Sequence, residues 1–112
     1  MRFTLVAIIT LLTSAACNRT GEIKIQNNIS RTTIENIYWG ETYIGGALRP
    51  GQETEFKEIT RFDERLPAAN RVFFSTTGLV QEEYYTEQQF ELDRQGQLII
   101  NLSDSTVIYE LD

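Results

Sequence analysis

Carboxylates are the only plentiful groups in this chain that could do acid–base chemistry. The 112 residues hold 16 Asp and Glu against 10 Lys and Arg, no His and one Cys, for a formal charge of −6. Asp63-Glu64 and Glu82-Glu83 place two acids side by side. Glycoside hydrolysis needs two carboxyls roughly 5–10 Å apart across one scissile bond, and adjacent residues of an extended strand point to opposite faces. Neither dipeptide makes such a pair by itself, so both read as solvated surface charge. Asp63, Asp93 and Asp104 offer oxygen to calcium, but no stretch carries acids at the alternating positions of a calcium loop. Asp93 and Asp104 fit turn-forming positions better.

The missing residues exclude as much as the present ones suggest. Without His and with a single Cys, one chain cannot assemble a Ser-His-Asp triad, a Cys-His pair or a zinc cluster. The acid excess argues against a nucleic-acid surface, which needs a basic stripe. The expectation is a chain with no catalytic residues, no cofactor and no metal site; the enzymatic alternative is an acid-only hydrolase using Asp63 or Glu64 with a second carboxylate.

What remains concentrated is aromatic. Tyr38, Trp39 and Tyr43, with Tyr84 and Tyr85, are drawn from 12 aromatic residues in all. Exposed rings stack on sugars and anchor protein interfaces. Trp39 has two readings. Beside Gly40 it fits a strand end packed under a loop, in the core, and with Tyr43 it could instead form a binding surface. Tyr43, flanked by Thr42 and two glycines, is the ring expected to stand out. The segment from Trp39 to Gly46 is thus the candidate recognition surface, for a protein or glycan partner whose identity the sequence leaves open.

The elements that must hold these rings are strands. From Gly21 onward the apolar period is two, with no sustained helical stripe. Glu22 to Gln26 alternates with Ile23 and Ile25 inward, and Thr32 to Trp39 is rich in β-branched and aromatic residues. Thr42 to Ile44 is an edge strand or a loop. Arg49-Pro50-Gly51-Gln52 is a turn, with Pro presetting its second position and Gly tolerating positive φ at its third. Glu53 to Ile59 reads as a strand. Residues 60–70 form the longest connection, with room for a turn of helix from Phe62 to Leu66.

Arg71 to Thr76 is the most hydrophobic strand, expected at the centre of a sheet with Phe73 in the core. Leu79 to Thr86 and Gln89 to Leu92 follow. Asp93 to Gly96 reads as a hairpin turn with Gly96 left-handed, leading to a return strand with Leu98, Ile100 and Leu102 inward. A last strand covers Thr106 to Leu111. Seven to nine short strands at this spacing predict an all-β antiparallel sandwich over residues 22–112, as one domain.

The N-terminus is an address. Arg2 gives a basic start, Phe3 to Leu12 is apolar apart from Thr4 and Thr10, and Thr13-Ser14-Ala15-Ala16 leads to Cys17. This is a secretory leader, too short for a transmembrane helix. Ser14 and Ala16 fit the small-x-small rule of ordinary signal peptidase, under which Cys17 is a free thiol on a soluble exported chain. The apolar run that nearly touches the only Cys points instead to lipidation of that thiolate.

Residues 1–17 resemble the signal of bacterial lipoproteins, although Ser14 stands where that family usually has Leu. The resemblance implies a leader at 1–16, a lipidated Cys17, and a short tether at 17–21. It implies a protein held on the envelope membrane by its acyl chains. Asn18 lacks the Asp that retains members of the family at the inner membrane, which implies the outer one. The body resembles small exported β-sandwich lipoproteins of unknown function through Asn28, Trp39-Gly40, Leu48 and Pro50-Gly51. Those are turn and core residues, so this second resemblance implies a fold and no chemistry.

Overall fold

The computed structural model describes residues 20–78 and 82–111, and these form an all-β fold without helix. Ten strands follow in order: β1 (Gly21–Asn28), β2 (Ile34–Trp39), β3 (Thr42–Gly45), β4 (Lys57–Ile59), β5 (Ala68–Asn70), β6 (Val72–Thr76), β7 (Glu83–Thr86), β8 (Phe90–Leu92), β9 (Gln97–Ser103) and β10 (Ile108–Glu110). They make a three-stranded sheet ordered β4-β1-β9, a five-stranded sheet ordered β10-β7-β6-β2-β3, and a two-stranded ribbon of β5 and β8.

Alternation builds the layers. β1 buries Ile23 and Ile25 while Glu22, Lys24 and Gln26 stay half-exposed, and β9 buries Ile100 and Leu102. From the five-stranded sheet, Ile34, Ile37, Trp39, Val72 and Phe74 enter the same core, and Ile59, Leu66 and Leu92 join it. Side chains interdigitating between two sheet faces are the energetic basis of a sandwich. The polar side chains caught inside are bonded. Asn27 donates from Nδ2 to the carbonyls of Thr32 and Leu48, at 2.8 and 2.9 Å, and its Oδ1 accepts the Ile29 N–H. Thr86 Oγ1 accepts the Val72 N–H and donates to the Gln88 carbonyl. Among the described residues no buried side-chain polar atom lacks a partner.

Several expectations hold and several are corrected. β6 is the middle strand of its sheet. Thr42 to Ile44 belongs to an edge strand, and the Arg49–Gln52 turn closes at 3.0 Å with Gly51 at φ 88°. The ladders are not all antiparallel, because β1 and β9 run parallel from Glu22↔Gln97 to Asn28↔Ser103. A period of two sets which face a strand buries but carries no information on its partner's direction.

Asp93 to Gly96 is therefore not a hairpin. It joins β8 of the ribbon to β9 of the three-stranded sheet, and its left-handed residue is Gln95 (φ 61°), not Gly96. Of Glu53 to Ile59 only Lys57–Ile59 is strand, with one further bridge at Glu53. The single helical turn allowed from Phe62 to Leu66 lies earlier and is not a helix: the Thr60 carbonyl accepts the Asp63 and Glu64 N–H groups at 3.0 and 3.1 Å, and β5 occupies the end of that stretch. Phe73 is half-buried on the outer face and Phe74 takes the core position. β1 starts at Gly21, inside the expected tether. The leader, Cys17 and residues 79–81 lie outside the described residues.

Candidate functional site

Each strand of the five-stranded sheet sends one aromatic ring to the outer face, and the register puts all of them in one row. Tyr38 of β2 stands opposite Tyr43 of β3 and Phe73 of β6. Phe73 stands opposite Tyr85 of β7, and Tyr85 opposite Tyr109 of β10. Ring centroids are 5.4 Å apart for Tyr38–Tyr43, 6.1 Å for Phe73–Tyr85 and 5.7 Å for Tyr85–Tyr109. The row crosses the whole sheet, about 19 Å at the usual spacing between strands. Its two middle rings are half-buried, whereas Tyr43, Tyr109 and Tyr38 remain 48%, 45% and 39% exposed.

A bulge in β2 creates this arrangement. Ile34 points inward, so strict alternation would bury Asn36 and Tyr38 and expose Ile37 and Trp39. The register shifts between Glu35 and Tyr38, and Asn36 adopts a left-handed φ of 51°. One extra residue inverts the phase of everything after it. Ile37 and Trp39 turn into the core, and Tyr38 turns out onto the row.

Trp39 is accordingly not a binding residue. Its side chain is fully buried, and its indole N–H donates to the Phe90 carbonyl at 3.0 Å. The core reading of Trp39 stands and its recognition role is withdrawn. Tyr43 does stand out, at the edge of the sheet. Tyr85 belongs to the row, but Tyr84 stacks on Phe74 with centroids 5.8 Å apart and donates its hydroxyl to Glu82. Phe73 and Tyr109 complete the surface and were not legible as site residues. The signal that could have found them is Asn36, a residue type that tolerates the left-handed region, in the middle of a strand.

Acids border the row. Glu35, Ser75 and Glu83 lie side by side on β2, β6 and β7. Tyr109 donates its hydroxyl to Glu87 at 3.2 Å, and the Glu87 charge, more than that bond, pushes the hydroxyl up from its ordinary pKa. A shallow depression beside the row is lined by Tyr38, Glu41, Phe73, Ser75, Glu83 and Leu111 among others. The opposite sheet has a different outer face. There Glu53 accepts from Gln26 and Lys24 at 2.9 and 3.1 Å, contacts that hold its carboxyl below the usual range, and Asn28 donates to Asn101.

Three of the remaining carboxylates hold turns and loop ends. Asp63 accepts from Thr60, Glu64 accepts from Asn70, and Asp104 accepts from Ser30. Glu82 and Glu83 do not share a partner. Among the described residues no cluster of three or more His, Cys, Asp or Glu could hold a metal ion, and no helix is long and apolar enough to cross a membrane. Compared with known proteins, the chain matches no family, no curated protein and no solved structure.

Proposed function

We propose that this chain is a lipid-anchored, non-catalytic binding module of a bacterial cell envelope, and that it recognises its partner through the aromatic row of the five-stranded sheet. The observation that carries the reading is the row itself, with one ring per strand, in register, on a face that meets water. Cross-strand aromatic pairs stabilise a sheet by a few tenths to about 1 kcal/mol each. That gain does not require Tyr43 and Tyr109 to leave nearly half their surface exposed. Contiguous exposed apolar surface on a small protein marks an interaction site, and tyrosine suits one that must also tolerate water while empty. The anchoring half rests on the apolar leader that ends at Cys17.

One preparation tests both halves: the full chain recovered from bacterial membranes, beside its Tyr43→Ala variant. Mass spectrometry is expected to find a diacylglyceryl peptide beginning at Cys17 in both. The variant should stay folded, losing no more than the few tenths to about 1 kcal/mol of the Tyr38–Tyr43 pair, and capture the envelope partner more weakly by about 1 kcal/mol or more, the scale of an interfacial aromatic anchor. A free Cys17 thiol contradicts the anchor, and undiminished capture contradicts the face.

A further inference from the structure

We infer that the occupant of the aromatic row is a basic polypeptide segment, whose Arg or Lys side chains sit over the tyrosine rings and against the bordering carboxylates; this rests on the row being the recognition face. Charge is the first argument. On the row's face the five strands of this sheet carry Glu35 and Glu83 and no Lys or Arg, Glu110 alternating to the other side opposite Tyr84, and Glu41 and Glu87 extend the acid border at the strand ends. Arg71 immediately precedes β6, two positions before Phe73. Anionic polymers are repelled by such a face, and cationic segments are drawn to it.

Ring geometry is the second argument. Successive rings are inclined at 74° for Tyr38–Tyr43, 33° for Phe73–Tyr85 and 47° for Tyr85–Tyr109. A sugar chain stacks best on coplanar rings, and these do not form one plane. Cations need no such platform, since a single electron-rich ring face attracts one within about 6 Å.

The third argument is that the fold already holds this combination once. On the other sheet the Lys24 ammonium lies 4.6 Å from the centroid of the Phe56 ring while it pairs with Glu53 at 3.1 Å. Ring, carboxylate and cation make a satisfied set there. Along the row Tyr109 with Glu87 supplies the first two members, and an incoming Arg or Lys supplies the third. The length fits as well, because a row of about 19 Å spans about six residues of an extended peptide.

The test uses the full chain in a polyoxyethylene detergent and octa-arginine amide as the probe, with affinity measured by calorimetry. Replacing Tyr43→Ser and Tyr109→Ser together changes no charge and is expected to weaken binding at least tenfold. Glu83→Gln with Glu87→Gln should weaken it similarly. Glu22→Gln with Glu58→Gln removes as many charges from the other sheet and should leave affinity within twofold. If the double tyrosine variant does not fold, Tyr43→Ser alone, on the edge strand, is read instead. Affinity that follows net charge and ignores the tyrosines overturns the inference. Binding of neutral chitohexaose that is lost in the tyrosine variant, with octa-arginine indifferent to it, also overturns the inference while leaving the recognition face in place. Failure of the face itself is read separately, from undiminished partner capture by Tyr43→Ala.

Discussion

Asp104 is exposed, yet it ties together two turns that are far apart in the chain. Its carboxylate accepts from the Ser30 Oγ–H at 2.5 Å and from the Ser30 N–H at 2.8 Å. These bonds, the hydroxyl's first, hold its carboxyl below the ordinary aspartate value of 3.8. The unfolded chain, lacking them, takes up the proton first as pH falls. The stabilisation is thus fully present above the ordinary value and is lost as pH drops toward the lowered native one. Asp104→Asn is expected to melt below the parent at pH 7, with the gap narrowing as pH falls below 3.8, in thermal melts followed by circular dichroism. A gap that persists unchanged at low pH would show that the carboxylate charge is not what Ser30 holds. The sequence shows Asp104 as a turn residue but not its partner, because Ser30 lies 74 positions away.

The bulge in β2 decides what the five-stranded sheet shows to water. Asn36 sits at φ 51°, where a β-branched side chain is badly strained and Gly is not. Asn36→Val should cost about 1–2 kcal/mol in chemical denaturation, the scale of forcing an ordinary residue into the left-handed region, whereas Asn36→Gly should stay close to the parent. Equal stability of the two variants would remove the bulge from the account. This element also marks where sequence reading stops. The alternation of Ile23 and Ile25, and of Ile100 and Leu102, is plain in the sequence and correct in the structure. The faces of Tyr38 and Trp39 could not be assigned, since they depend on one inserted residue. Phe73 was placed in the core in place of Phe74 for another reason: Val72, Phe73 and Phe74 are consecutive apolar residues, and such a run does not say which face is buried. Tyr43 was legible because its glycine neighbours mark it as peripheral. Tyr109 was not, because its role comes from strands paired across the sheet.

At the scale of the molecule, two unlike sheet faces sit on a body that begins very near its proposed anchor. β1 starts at Gly21, four positions after Cys17, so fully extended backbone would hold the sandwich within roughly 15 Å of the lipid attachment. On the proposed anchor, the acid excess leaves membrane binding to acyl chains and not to a basic patch. The two outer faces differ: one carries Lys24, Gln26, Asn28 and Asn101 beside an exposed Ile99, and the other carries the row of rings. The all-β class was readable from strand spacing and turn chemistry, but the parallel β1–β9 pairing and the partition into three sheets were not. The difference between the two outer faces is the central claim, and site-specific photo-crosslinking in intact envelopes tests it most directly. A benzoylphenylalanine at position 43 on the row, compared with one at position 101 on the opposite face, should give adducts from position 43 and none above background from position 101. Equal adducts from both positions, or adducts from position 101 alone, would contradict it.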